Sequence, residues 1–289
     1  MQTVDEFTAQ RPRLKALAYR LLGSWSDAED VVQDAYVRWE GRASGRDGGG
    51  VTEPGAYLAR VVTNLCLDLR KSSRFNRELY VGAWLPEPVP TDAGRLGGVP
   101  VDPEQISLAF LAILERLSPL ERAAYVLAEA FDFDHAEIAA VLDRAEPAVR
   151  QLLHRAREHV RAGRPRFHAA AADHERMLGA FMTACAAGDV DGLARLLAGD
   201  VVAVSDGGGK ARAALRPIVG ADRVARFLVA TARKAPPDLA VARRELNGAP
   251  ALVLSLGGRP FLVLQIETDG ERVRSVAMVL NPDKLQHLG

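Results

Sequence analysis

Between Tyr80 and Pro103 this chain cannot be a helix. Pro86, Pro88, Pro90, Pro100 and Pro103, with Gly94, Gly97 and Gly98, interrupt every possible helical run there. Each proline lacks an N–H and clashes with the preceding turn, so the segment reads as an extended tether between separately folded parts. A length of 289 residues leaves room for two or three such parts, and 48% hydrophobic residues supply enough apolar material for their cores. The tether opens with YVGAWLPEP, which is oddly apolar for a solvated linker. Trp84 and Leu85 therefore point to a docking site on another part of the chain. Lysines plus arginines and acids number 37 each, so the net charge of zero argues against nucleic acid unless the charge is unevenly placed.

The start MQTVDEFTAQ has no basic region followed by an apolar stretch, so no signal peptide is expected. The apolar run FLVLQI meets Glu267 far short of the roughly 18 residues of a membrane span. Cys66 and Cys185 fall in different periodic segments, as expected of free buried thiols in a reducing cytoplasm. No cysteine–histidine spacing suits zinc, and no cofactor is expected.

The segment before the tether is helical by its periodicity. Leu14, Leu17, Ala18, Leu21 and Leu22 recur at helix spacing until Gly23 and Ser24 break the pattern. Ser26, three residues before Glu29, is the expected capping box of the next helix, which carries Ala28, Val31, Val32 and Ala35 through to Trp39. GRASGRDGGGVTEP is a loop by composition, and a third helix follows with Tyr57, Leu58, Val61, Val62, Leu65 and Leu69 as its stripe. After the tether, Ser118 and Pro119 form an N-cap and first-turn pair with Glu121 behind them. A short helix from His135 to about Leu142 and a second beginning near Pro147 place Ile138, Leu142, Val149 and Leu153 to close one small core, the helix-turn-helix pattern.

Charge is uneven. Arg144, Arg150, Arg155, Arg157, Arg161 and Arg164 face only Glu146 and Glu158, and Arg150 and Arg157 share a helix face suited to duplex phosphates. In the first segment, Asp27, Glu29, Asp30 and Asp34 form an acidic face suited to basic partner helices. The last segment changes character. Two helices lead into the strand VVAVSDGGGK, a helix from Arg223 to Lys234 follows, and Gly257–Gly258 and Asp269–Gly270 mark hairpin turns between apolar runs. Phe227, Phe261 and Met278 read as core, and an antiparallel curved sheet with helices makes an α+β cone.

The first two segments resemble a bacterial extracytoplasmic-function RNA polymerase sigma factor, with region 2 near 7–78 and region 4 near 104–163. SDAEDVVQDAYVRW resembles the polymerase-binding helix of region 2, AYLARVVTNLCLDLRKSSR the part that melts and reads the −10 element, and EIAAVLDRAEPAVRQLLHRAR the −35-reading helix-turn-helix. The third segment resembles a SnoaL-like, NTF2-type cone. WLPEP, DGGGK at 206–210 and NPDKL at 281–285 match the signatures of the subgroup with that fused extension, the SigJ type. The resemblance implies a multidomain chain: region 2 (1–79), the linker (80–103), region 4 (104–165), both sigma domains all-α, and the cone (170–289).

It implies a non-enzymatic, cytoplasmic promoter-specificity subunit, modulated by its own C-terminal domain and monomeric when free. Its partners are core polymerase, through the largest subunit's clamp helices and the flap, and promoter DNA. Asp30, Gln33 and Asp34 carry over as polymerase contacts. Arg60, Asn64, Arg70, Lys71 and Arg74 carry over as −10 contacts, with the glycine-rich loop before them. Ala148, Arg150, Gln151, His154, Arg155 and Arg157 face the −35 element. Trp84, Leu85 and Pro86 with Asp206, Lys210, Asn281, Pro282, Asp283, Lys284 and Leu285 form the regulatory contact. Asp143 stands where the family has a turn glycine, and Glu146 where Ser or Thr often caps. The alternative is a small-molecule sensor or enzyme built on the cone, with Asp206 and Lys210 as an acid–base pair and the helices as a DNA-targeting attachment; a two-domain repressor would have no need of the acidic helix.

Overall fold

The computed structural model describes residues 2–43, 53–78, 80–92, 94–163 and 169–289, with only the backbone for 2, 3, 43 and 73–78. Most of the glycine-rich loop, the Arg74 side chain and Arg164 lie outside the described residues. The chain forms two compact units. One comprises Met1–Glu78, Ala93–Ile106 and Phe110–Arg164, the other Leu79–Asp92, Ser107–Ala109 and Pro165–Gly289. The tether is thus shared, its first half belonging with the C-terminal unit.

The N-terminal unit is helical apart from a small hairpin. Helices α1 (Gln2–Leu22), α2 (Trp25–Ala43) and α3 (Pro54–Glu78) bury the expected stripes, including Leu17, Leu21, Val32, Ala35, Leu58 and Val62. The start of α2 differs from expectation. Ser24, not Ser26, lies just outside it and accepts the Asp27 N–H at 3.2 Å, while Glu29 turns to Arg11 and Lys15 of α1. Proline begins α3, where its missing N–H costs nothing. Beyond the tether's centre, β1 (Arg95–Leu96) and β2 (Val99–Pro100) pair antiparallel around Gly97–Gly98.

Helices α4 (Leu108–Leu114), α5 (Pro119–Phe131), α6 (His135–Leu142) and α7 (Glu146–Gly163) follow. Ser118 caps α5 with Pro119 behind it, as expected, and Ser118 and Glu121 close a capping box there. Ile138, Leu142, Val149 and Leu153 are buried together between α6 and α7. Asp143 ends α6 in the left-handed region (φ 54°, ψ 56°), a conformation Asp tolerates better than most residues, so the turn keeps its geometry without glycine.

The C-terminal unit carries α8 (Ala171–Ala187), α9 (Val190–Leu196), β3 (Leu197–Asp206), β4 (Ile218–Val219), α10 (Ala221–Ala232), β5 (Ala240–Leu246), β6 (Ala249–Leu256), β7 (Arg259–Thr268) and β8 (Val273–Val279). The strand order is β4-β3-β8-β7-β6-β5, with β3 and β8 parallel and the other neighbours antiparallel. The expected NTF2-type cone does not form. The sheet stays open, because closure requires its edge strands to meet. One edge, β4, is two residues long, and the other, β5, takes residues of the tether instead.

Strand period separates two faces. Leu252, Leu264, Ile266, Val276 and Met278 join α8–α10 in one core, with Phe227 and Phe261 packed against it. The opposite face carries Val253, Val263 and Val279 in register, with Asp206 at the end of the row. Leu85 from the tether and Leu285 and Leu288 from the C-terminal tail cover it.

Candidate polymerase, promoter and linker-binding sites

On α2, Asp30, Gln33 and Asp34 are exposed and share one face with Val37, which is 67% exposed, while Val31, Val32, Ala35 and Trp39 turn inward.

The −10 candidates separate on α3. Arg60 and Lys71 are exposed and Asn64 is half-buried, and helical spacing puts the three on one face. Lys71 pairs with Asp68 at 2.8 Å. Arg70 is turned into the unit: it is 8% exposed, donates to the Leu21 carbonyl at 3.1 Å and lies 3.4 Å from both oxygens of Glu115.

In the helix-turn-helix, Arg150, Gln151 and His154 are exposed on α7 and Ala148 is half-buried. Arg155 reaches Glu121 at 3.0 Å and Arg157 reaches Glu129 at 2.7 Å, so both are anchored to α5. Glu146, in the first turn of α7, pairs with Arg150 at 3.3 Å. Arg150, His154, Arg157 and Arg161 line an open hollow of about 290 Å³.

The C-terminal unit holds the tether through a buried polar cluster centred on Asp206, which is 0% exposed. Its carboxylate accepts the Leu85 N–H at 2.8 Å, the Lys284 ammonium at 2.7 Å and the Tyr80 hydroxyl, and its carbonyl accepts the N–H groups of Leu280 and Asn281 at 2.7 and 2.9 Å. Lys284 also donates to the Leu85 carbonyl and stands 4.1 Å from the Trp84 ring centroid, a cation–π contact. Asn281 donates to the Tyr80 hydroxyl at 2.9 Å. Burial first, then the adjoining Asp206 carboxylate, raises the Tyr80 phenol well above its ordinary pKa. WLPEP, DGGGK and NPDKL therefore meet in one place. Lys210 does not pair with Asp206 as an acid–base partner would: it reaches Asp283 at 2.5 Å, and Lys284 is the countercharge.

Further along, the tether behaves as a short extra strand on β5. Asn247 donates to the Val89 carbonyl at 2.8 Å, the Val89 N–H to Asn247 Oδ1 at 2.9 Å, and the Thr91 N–H to the Glu245 carbonyl at 3.2 Å. His287 sits between the Glu87 carboxylate, 3.0 Å from Nδ1, and the Pro88 carbonyl, 2.6 Å from Nε2. Sequence reasoning missed Tyr80, Glu87, Val89, Thr91, Asn247 and His287. The signal for the β5 contact was Asn247–Gly248, an Asn-Gly hairpin turn with positive φ at both residues. Among the described residues no group of three or more His, Cys, Asp or Glu side chains could hold a metal, and no helix is long and apolar enough to cross a membrane.

Two helical regions joined by a tether, one with an acidic helix face and one with a helix-turn-helix, are the parts of a bacterial sigma factor. The sequence matches the Sigma-70 region 2 family over residues 7–75 and the Sigma-70, region 4 family over 107–160. It is 38% identical to the ECF RNA polymerase sigma factor SigJ of Mycobacterium tuberculosis, over 97% of this chain and 92% of that one. It is 30% identical to the probable ECF RNA polymerase sigma factor SigI of the same organism, over 97% and 93%. The crystal structure of M. tuberculosis SigJ superposes with a TM-score of 0.77 at 34% identity, covering 98% of each chain. The chain belongs to the extracytoplasmic-function RNA polymerase sigma factors, within their SigJ subgroup, and carries an additional C-terminal domain. It is a transcription-initiation factor that works with core RNA polymerase on promoter DNA.

Proposed function

We propose that the C-terminal unit modulates this sigma factor by clasping the tether between regions 2 and 4. In this reading Asp30, Gln33 and Asp34 meet the clamp helices of the largest polymerase subunit and region 4 meets the flap. Arg60, Asn64 and Lys71 line the −10 strand, joined by Arg70 when it is accessible. Arg150, Gln151 and His154 approach the −35 bases at the start of the recognition helix, with Arg155 and Arg157 on the backbone.

The observation that carries the modulatory role is the carboxylate of Asp206, wholly buried and bound to the tether at Tyr80 and Leu85. A buried charge is costly unless fully partnered, so the clasp is either whole or broken and acts as a two-state element. The length and freedom of the tether govern how far regions 2 and 4 can separate, and the clasp removes its first half from that reach. The experiment is reconstituted transcription with the full chain and with a chain ending at Gly163. Both bind core polymerase, and their transcript yields differ; equal yields at every polymerase concentration would end the modulatory reading.

A further inference from the structure

Arg122 of α5 is the largest wholly buried side chain among the described residues, at 0% exposure. Its Nε donates to the Arg20 carbonyl of α1 at 2.8 Å, and a terminal nitrogen meets Glu115, which lies between α4 and α5. Arg70 of α3 approaches the same carboxylate from region 2. Arg20, whose carbonyl takes the Arg122 Nε–H, is itself 4% exposed, and burial lowers its pKa to about 10, the mark of a dry setting. Two guanidiniums, those of Arg70 and Arg122, therefore share the carboxylate of Glu115 where regions 2 and 4 pack together.

An apolar seam of the same volume would hold two helical regions together at least as well. What an arginine pair around one carboxylate adds is chemistry, because guanidinium groups recognise carboxylate and phosphate through the same donors. Arg70 stands on the helix whose exposed face carries Arg60, Asn64 and Lys71. We propose that Glu115 is a built-in stand-in for a promoter phosphate: while regions 2 and 4 are closed on each other it occupies Arg70, and the nucleic-acid backbone takes Arg70 only after the seam opens. DNA and region 4 then compete for one guanidinium, and closed regions cannot engage the −10 strand fully. The inference rests on α3 being the −10-facing helix, and not on the tether clasp.

The test uses the full chain and a fluorescein-labelled oligothymidine, a probe of backbone phosphate without base preference, followed by anisotropy at several salt concentrations. Glu115→Gln keeps the shape and removes the charge. It binds about tenfold more tightly than the unsubstituted chain, with a steeper salt dependence, because one more cation reaches phosphate. Arg70→Ala added to Glu115→Gln cancels the gain. Glu115→Ala, which removes the carboxylate altogether, gives a gain of the same sign and serves if the first variant misfolds. Unchanged affinity in both single variants, or a gain that survives Arg70→Ala, overturns the stand-in role. Arg60→Ala checks the underlying reading separately: it weakens binding in every background if α3 faces nucleic acid, and an Arg60→Ala chain that binds normally removes that premise instead.

Discussion

Replacing Asp206 with alanine removes the acceptor of the Leu85 N–H and the carboxylate beside Lys284, a side chain only 8% exposed. Cutting one partner out of a buried ion pair costs about 3–5 kcal/mol, because the remaining charge keeps its desolvation penalty. If that cost falls on the clasped state, the equilibrium for lifting the tether rises roughly a hundredfold to several thousandfold. Amide hydrogen exchange reads this directly. Leu85 loses its own acceptor in the variant, so Val89 and Asn247, which bond to each other well away from Asp206, are the informative amides. Both exchange faster by that factor if the tether leaves as a unit. If Val89 and Asn247 exchange as in the unsubstituted protein, Asp206 does not hold the tether and the two-state argument is wrong.

Gly208 has φ +57°, and a Cβ there would overlap Asn281 Nδ2 and lie 2.9 Å from the Tyr80 hydroxyl. Gly208→Ala therefore lowers the stability of the C-terminal unit by about 1–3 kcal/mol in urea denaturation, and an unshifted midpoint would refute the crowding. Burial raises Glu267 from 4.5 to about 7, so the folded protein holds a proton there that the unfolded chain releases between those values. Its cost to stability grows as pH rises through that window and is complete above it. Glu267→Gln removes that cost, raising stability at pH 8 by up to about 3 kcal/mol and leaving it nearly unchanged at pH 4, as thermal denaturation at the two pH values would check. Arg150→Ala loses only an exposed pair with Glu146 and little stability, yet weakens holoenzyme binding to a −35 duplex by about tenfold; unaltered promoter affinity counts against its placement at the base edges.

What the sequence made legible was what is local. Helical stripes such as Leu14–Leu22, the Ser118 cap with Pro119 and the pair of helices around Asp143 each lie within a few turns of chain, where period and capping rules operate. Leu85 was legible because an apolar residue in an extended tether has to be covered somewhere. The countercharge of Asp206 was not. Lys210 is four residues away and Lys284 is 78, and only the packed unit decides between them. Arg70 belongs to an arginine-rich helix end, and periodicity alone does not say that Glu115, 45 residues on, draws it inward. The open sheet escaped notice for a related reason. Almost all of β5 is exposed, so the strand lacks the alternation that marks a half-buried one, and the tether residues that extend its edge come from the far side of region 4 in sequence.

The most direct test of clasp control pairs two readings on the same proteins: hydrogen exchange at Val89, and run-off transcription with core polymerase from a promoter that the full chain uses. The unsubstituted chain, Asp206→Ala and Lys284→Met span a range of clasp opening, and transcript yield should change in step with the opening of the tether. A tether shown to be open in both variants, with transcription indistinguishable from that of the unsubstituted chain, would contradict the account.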